Sequence, residues 1–330
     1  MKPIVLVTEK EFEKGRDVFS TCGDVVCEPV PPDERILAEQ IRKKGARAVI
    51  LGVDKYIGPL YEALAGGLIA RIGVGCDGID KNLCKKHGII LTNTPGAPDR
   101  SVAEHAIWLM GAVARRIAEA DRTMRQGEFG VSGGEELFGK TLLLAGFGRI
   151  ARLVAHIAGV GLGMKVLAFD ILTLAEQARL SKMTEQDFLK EYALAGYACD
   201  LEKALPLADV VSIHMPSNKA TYHFFNASRL SLCKKGAALI NTARGPIVDE
   251  VALYDALASG RLSGAALDVF EKEPYVPIDP AKDLRKLPNV VLTPHIGSNT
   301  RQSNRNMAEM SLANCLAFLS GQTDRVTRVN

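Results

Sequence analysis

The segment Leu142-Leu143-Leu144-Ala145-Gly146-Phe147-Gly148-Arg149-Ile150-Ala151 constrains this chain more than any other. An aliphatic run of strand length passes into Gly-x-Gly-x-x-Ala, and residues of helical pattern follow. Gly146 permits a tight turn, Gly148 lets a phosphate group come up against the backbone, and Ala151 keeps helix and strand close. The first N–H groups of the helix and the positive end of its dipole face the same place, which suits a pyrophosphate. Asp170 closes the next apolar run, KVLAFD, where an acidic residue would bond the ribose hydroxyls of an adenosine. A carboxylate there repels a 2′-phosphate, and Ile171-Leu172 supplies no arginine, so NAD is favoured over NADP. A glycine turn alone is weak evidence; strand, turn, helix and acid in register make it a dinucleotide site.

The pattern around this motif is α/β. Before residue 100, Ile4–Val7, Ala48–Leu51, Leu68–Ile72 and Ile89–Leu91 read as strands. Between them Asp33–Lys44 reads as a helix with Asp33 at its N-cap. A long helix is predicted from Ser101 to Arg125, with a capping box at Ser101 and Glu104 and apolar positions Ala106, Leu109, Met110, Val113 and Ile117. From Thr141 onward, strands are predicted at Thr141–Ala145, Lys165–Phe169, Val210–Ile213, Ala238–Ile240, Gly264–Leu267 and Val290–Leu292. Those six runs fit a doubly wound parallel sheet. Thr300–Ser320 reads as a final helix, and Gly127–Gly134 as a flexible connector.

Composition narrows the function classes. The 330 residues suit about two domains. Lys and Arg total 41 against 38 Asp and Glu, a net charge of +3 that makes no nucleic-acid surface. The seven cysteines form no C-x-x-C pair, which reads as reduced thiols in a cytoplasmic protein and not as a disulfide frame. No run reaches the length of a membrane span, and the N-terminus lacks a signal-peptide core. His87, His105, His156 and His223 have no spacing that collects metal ligands, so no metal is expected.

Three later strands each end in groups of catalytic type. Ala238–Ile240 runs into Asn241-Thr242-Ala243-Arg244, Gly264–Leu267 into Asp268 and then Glu273, and Val290–Leu292 into Thr293-Pro294-His295. Ligands of an open parallel sheet bind outside the carboxyl ends of its strands, so Arg244, Glu273 and His295 should converge there. Singly they read as a salt-bridge arginine, an exposed acid and a loop histidine. Together at one sheet edge they read as a site.

NTARGPIVDE, ALDVFEKEP and TPHIGS, behind AGFGRIA, resemble the NAD-dependent 2-hydroxyacid dehydrogenases specific for D-isomers. RIGVGCDGID (Arg71–Asp80) and NTPGAPDRSVAEHAIWLM (Asn93–Met110) extend the resemblance to nearly the whole chain, with the likeness strongest to short-form phosphoglycerate dehydrogenases. The resemblance implies two α/β domains, a Rossmann-type doubly wound parallel sheet at 101–296 inserted into a smaller flavodoxin-like substrate domain formed by 1–100 and 297–330. It implies a homodimer through an arm near 120–138. Catalysis would rest on His295 as proton donor and acceptor, Glu273 as its orienter and Arg244 as the group that binds the substrate and polarises its carbonyl. The N–H groups of Gly73, Val74 and Gly75 would bind the substrate carboxylate. NAD would touch Gly146, Gly148, Arg149, Ile150, Asp170, His214, Met215, Pro216, Thr242, Ala243 and Asp268, the last at the carboxamide. The expected small-molecule substrate is a 2-hydroxy or 2-keto acid, first phosphoglycerate, then glyoxylate or hydroxypyruvate. An NADH-responsive corepressor-like binding protein is the alternative, and a formate or phosphite enzyme is weaker, since formate enzymes carry Gln where Glu273 stands.

Some features depart from the pattern. Gly78 stands where the family more often has Asn. Residues 177–192 lengthen the segment after Asp170 and are expected to be helical surface decoration. His214 is expected to shape the cofactor pocket and not to move protons.

Overall fold

The computed structural model describes residues 2–130 and 133–329. Val131 and Ser132 of the expected connector and arm, and the terminal Met1 and Asn330 of the expected substrate domain, lie outside the described residues. The chain divides into two compact units, Met1–Ser101 with Ser298–Asn330, and Val102–Gly297.

The first unit holds a five-stranded parallel sheet of β1 (Ile4–Thr8), β2 (Val26–Val30), β3 (Ala48–Leu51), β4 (Leu68–Arg71) and β5 (Ile90–Thr92), in the order β2-β1-β3-β4-β5. This is the flavodoxin-like order. Alternate residues of each strand enter opposite cores: Val5, Val7, Ala48 and Ile50 one, Leu6, Val49, Leu51 and Ile69 the other. A sheet covered on both faces makes strands apolar without alternation, which is why they stand out in the sequence. Strand β2 was not predicted. It carries Pro29 and lies at the sheet edge, where a missing N–H costs no ladder bond. The helix Glu34–Lys44 begins at Asp33, whose carboxylate accepts the N–H groups of Arg35 and Ile36, and ends at Gly45 with φ +63°. The C-terminal helix Arg301–Leu319 buries Met307, Ala308, Leu312, Cys315 and Phe318 in the first of these cores.

The second unit holds a seven-stranded parallel sheet of β6 (Thr141–Ala145), β7 (Lys165–Phe169), β8 (Leu194–Ala198), β9 (Val210–Ile213), β10 (Ala237–Asn241), β11 (Leu262–Leu267) and β12 (Val290–Leu292). The order β12-β11-β10-β9-β6-β7-β8 is doubly wound and reverses direction between β6 and β9. Leu142 and Leu144 enter one core, Leu143 and Ala145 the other. Each such leucine contributes roughly 1.5–3 kcal/mol.

Two expectations are corrected here. The predicted helix Ser101–Arg125 is two helices, Asp99–Ala114 and Ile117–Arg125, separated at Arg116 with φ +51°. Ile117, expected on the buried face, is 55% exposed, so burial does not carry the first helix through that point. Ser101 lies inside the first helix and not at its cap, and its hydroxyl shares a 2.8 Å hydrogen bond with that of Thr300. Residues 177–192 are not surface decoration. They form most of the helices Leu174–Leu180 and Glu185–Glu191 ahead of the edge strand β8, and Phe188, Ala178 and Gln177 are buried. Phe188 meets Phe147 edge-on, and the Arg152 guanidinium lies over Phe147, Phe188 and Tyr192 while donating to Gln177 and Tyr192. The segment thus packs directly behind the glycine turn. Among the described residues no helix is long and apolar enough to cross a membrane.

Candidate active site

In the second unit the strands end level. Ala145 pairs with Phe169 and Ile213, Asn241 with Ile213 and Leu267, and Leu267 with Leu292. Gly146, Asp170, His214, Thr242, Asp268 and Thr293 each follow one of those residues, so the candidate groups leave the sheet along one line.

Gly146 has φ +94°, and a Cβ there would stand 2.7–2.9 Å from the backbone of His214 and Met215. Only glycine fits. A Cβ on Gly148 would meet nothing within 4 Å, so that backbone faces open space at the start of the helix Arg149–His156. Asp170 accepts the N–H of Phe147 at 2.7 Å and that of Leu172 at 3.1 Å, tying the end of β7 to the glycine turn. Ile150 follows Arg149 in the first turn of this helix and packs against the core. His214 Nε2 shares a hydrogen bond with the Ser212 hydroxyl at 2.8 Å, and burial pushes its imidazole down to about 4, so the ring is neutral at neutral pH. Met215 is buried beside it and Pro216 is exposed.

Beyond β10, the Asn241 side chain accepts the Ala243 N–H and donates to the Arg244 carbonyl, while Arg244 Nη1 donates to the Ala243 carbonyl at 2.6 Å. Thr242 is buried, and its hydroxyl finds no partner among the described residues. His295 Nδ1 lies 2.7 Å from Glu273 Oε2, with both side chains about one-third exposed. Burial alone would raise the Glu273 carboxyl. The bond and charge of His295, the Phe270 N–H and the Arg244 guanidinium outweigh it and hold Glu273 below the ordinary carboxylate range. The structure thus brings Glu273 and His295 into contact, with Arg244 close enough to act on Glu273 by charge. His295 has φ +52°, a strained conformation for a residue with a side chain.

The strain is held by groups that sequence reasoning missed. Asp268 is buried and accepts Thr293 Oγ1 at 2.6 Å, the Ile296 N–H at 2.9 Å and the Gly297 N–H at 2.8 Å, with His105 Nε2 at 3.3 Å. His105 also meets Thr293 Oγ1 at 3.1 Å. Burial would raise the Asp268 carboxyl, but these donors together keep it low. Asp268, expected only as a cofactor contact, therefore clamps the turn on both sides of His295. A histidine and a threonine far apart in sequence gave no local signal of this.

In the first unit, Gly73 has φ +123° and donates its N–H to Thr94 Oγ1 at 2.8 Å. A Cβ on it would overlap the Arg71 guanidinium, whose Nη1 donates to the Ile72 carbonyl. Val74 is exposed, and Gly75 is partly so. Gly78 is explained by packing, since a Cβ there would lie 2.3 Å from the Asp54 carbonyl oxygen and no asparagine could enter.

Residues 107–297 match the profile of the D-isomer specific 2-hydroxyacid dehydrogenase, NAD binding domain. The chain belongs to this dehydrogenase family. It is 38% identical over 331 residues to a glyoxylate reductase of Korarchaeum cryptofilum, covering 98% of this chain and 94% of that one. It is also 38% identical to D-3-phosphoglycerate dehydrogenase 2, chloroplastic, of Arabidopsis thaliana, covering 93% of this chain and 47% of that protein. D-lactate dehydrogenase from Aquifex aeolicus, solved with NAD and lactic acid, superposes with a TM-score of 0.82 at 31% identity over 98% of both chains. The chain is an NAD-dependent 2-hydroxyacid dehydrogenase. The site fits that cofactor. The glycine turn has an open face at Gly148, the buried Thr242 hydroxyl awaits a partner at the same sheet edge, and Asp170 closes the adjacent strand.

Proposed function

We propose that this dehydrogenase interconverts small, unphosphorylated 2-keto acids and their D-2-hydroxy acids, with glyoxylate and hydroxypyruvate ahead of phosphohydroxypyruvate. The observation that carries the chemistry is the 2.7 Å contact between His295 and Glu273 at the edge that bears the glycine turn. Glu273 accepts the Nδ1–H, which leaves Nε2 to give a proton to the carbonyl oxygen in reduction and to take it back in oxidation. As a carboxylate it stabilises the imidazolium form that donates. Arg244 binds the substrate carboxylate and draws charge onto the carbonyl oxygen. By the family resemblance the N–H groups of Val74 and Gly75 would meet the carboxylate as well, but that of Gly73, expected with them, is already given to Thr94 Oγ1. When bound, the cofactor would supply the hydride to C2 as NADH in reduction and accept it as NAD+ in oxidation. Gly146, Gly148, Arg149 and Ile150 would hold its phosphates and Asp170 its ribose. His214, Met215, Pro216, Thr242 and Ala243 would line its pocket, and the remaining acceptor capacity of Asp268 would meet the carboxamide.

Two observations favour the unphosphorylated substrates over the phosphoglycerate expected from sequence. The archaeal relative named glyoxylate reductase aligns from end to end. Arg71, the cation that opens the segment Arg71–Asp80, turns its guanidinium onto the Ile72 carbonyl beside its own strand. The test is NADH oxidation with glyoxylate, hydroxypyruvate and phosphohydroxypyruvate. A kcat/KM at least tenfold higher for either unphosphorylated acid supports the proposal, and the reverse order restores phosphoglycerate. Failure to reduce any keto acid despite NADH binding would leave the corepressor-like reading.

We further infer a homodimer. Met124, Phe129 and Phe138 of the expected arm are 54%, 94% and 76% exposed, and Trp108 in the helix before it 70%, large apolar side chains of the kind that a second copy would cover. Sedimentation equilibrium at micromolar concentration should return the dimer mass, and a monomer mass would refute it.

A further inference from the structure

A second cluster of titratable groups lies behind the Glu273 turn, and the mechanism above does not use it. Glu250 opens the helix Glu250–Ala258 and is 4% exposed. Its Oε1 accepts the Glu271 N–H at 2.6 Å, and Glu271 Oε1 accepts the Glu250 N–H at 3.1 Å. The two acidic residues thus clasp one another's backbones, each side chain reaching the other's main chain. Glu271 Oε2 meets His223 Nε2 at 2.8 Å, and the His223 ring stacks on Tyr222 with centroids 4.0 Å apart. Gly245 lies so close to the same turn that a Cβ on it would overlap the Phe270 carbonyl carbon. The turn from Phe270 to Glu273 is therefore pinned at two successive N–H groups, Phe270 by the Glu273 carboxylate and Glu271 by Glu250.

A buried carboxyl that spends one oxygen on a distant backbone N–H has a cost to justify. The other oxygen of Glu250 is buried and has no hydrogen-bond partner among the described residues. Glu271 and Glu273 face Glu250 from the turn, His223 from the segment before the next helix, and Tyr275 from beyond Pro274. Burial above all pushes the Glu250 carboxyl up to about 7, with the charges of Glu271 and Glu273 adding to it.

We propose that Glu250 is a positioning residue, which acts through its bond to the Glu271 backbone to hold Glu273 against His295. The proposal rests on the reading of His295 and Glu273 given above. Removing the bond frees the turn two residues before Glu273, so the carboxylate no longer presses on the imidazole. Turnover then falls while the cofactor still binds, because the glycine turn and Asp170 are untouched.

The Glu250→Asp and Glu250→Gln variants separate this from a general loss of stability. The Asp variant keeps the carboxyl group but stops one methylene short of the Glu271 N–H. The Gln variant replaces the carboxyl by an amide and keeps an oxygen that reaches it. For Glu250→Asp we expect kcat with glyoxylate to fall by about tenfold and NADH affinity by fluorescence quenching to change less than about twofold. Glu250→Gln should restore kcat to within about threefold of the native value. Equal behaviour of the two variants, both active or both impaired, overturns the proposal. Native turnover in His295→Ala would instead overturn the reading beneath it.

Discussion

Glu273 and His295 come from turns after different strands, yet a carboxylate oxygen of one stands 2.7 Å from the ring nitrogen of the other. That contact fixes which imidazole nitrogen is available, and it predicts an unequal pair of losses. His295→Ala removes the proton carrier and should cut kcat by about two to four orders of magnitude while NADH affinity persists. Glu273→Gln leaves the carrier in place without its counter-charge, so turnover should fall less than in His295→Ala. Steady-state kinetics across pH 5 to about 9, with fluorescence titration of NADH, checks both. Native turnover in His295→Ala would remove its role.

Asp268 should show its clamp in stability. Its carboxyl titrates lower in the folded protein than the ordinary value of 3.8, because the donors from His105, Thr293, Ile296 and Gly297 favour the ionised form over the penalty of burial. A depressed folded value means stabilisation present in full above the unfolded value and lost as pH falls through the folded one. Asp268→Asn puts an amide against those donors and should cost about 3 kcal/mol near neutrality. Urea denaturation of both proteins between pH 7 and about 3 is the measurement. The gap should hold down to about pH 4 and narrow below it. A gap unchanged at the acidic end would mean the charge contributes nothing.

The sequence displayed the strands buried on both faces and concealed two of the four at the sheet edges, β2 and β8. Leu142 to Ala145 serves two cores at once and so reads as an unbroken apolar run, as does Val210 to Ile213. β2, with Pro29 and half-exposed residues, and β8, with Gly196, have no such run and were missed. The site followed the same rule. Groups that leave a strand end, such as Arg244, Glu273, His295 and Asp170, are announced by the strand before them. His105 and Thr293 act by reaching the Asp268 carboxylate, Glu250 and Glu271 by reaching one another's backbone, and no spacing along the chain marks a partner that only the sheet brings near. The break at Arg116 was invisible for a related reason: the apolar period continues through Ile117, but nothing in the second unit covers it.

The segment before β8 also makes a quantitative claim. Phe188 is fully buried between Phe147 and Tyr192, with ring centroids 5.9 and 4.9 Å away, and the Arg152 guanidinium lies 5.4 Å from its centroid. Phe188→Ala should destabilise the protein by about 3–5 kcal/mol through lost burial and the cavity left behind. Because Phe147 belongs to the glycine turn, NADH affinity should fall as well, even at temperatures where the variant stays folded. Calorimetry and NADH titration at 15 °C to about 25 °C test the two parts separately. A stability change under about 1 kcal/mol would return this segment to the surface.

Gly146 and Gly148 sit two residues apart and should respond oppositely to a side chain. At Gly146 an added Cβ meets the backbone of Met215 at 2.7 Å, and the φ of +94° is itself closed to alanine, so Gly146→Ala should strain the fold whether or not cofactor is present. At Gly148 the φ is −81° and an added Cβ meets no atom within 4 Å, so Gly148→Val should fold with a melting temperature close to the native one. The same open space is where the phosphates are proposed to approach the backbone, and two methyl groups placed in it would fill it. NADH affinity of Gly148→Val should therefore fall by at least about a hundredfold, a cost of roughly 2.7 kcal/mol, with the protein otherwise intact. Melting curves and NADH titration of the two variants, side by side, give the comparison. Native affinity in Gly148→Val would show that the phosphates lie elsewhere, and the dinucleotide site would have to be rebuilt from Asp170 and Thr242 alone.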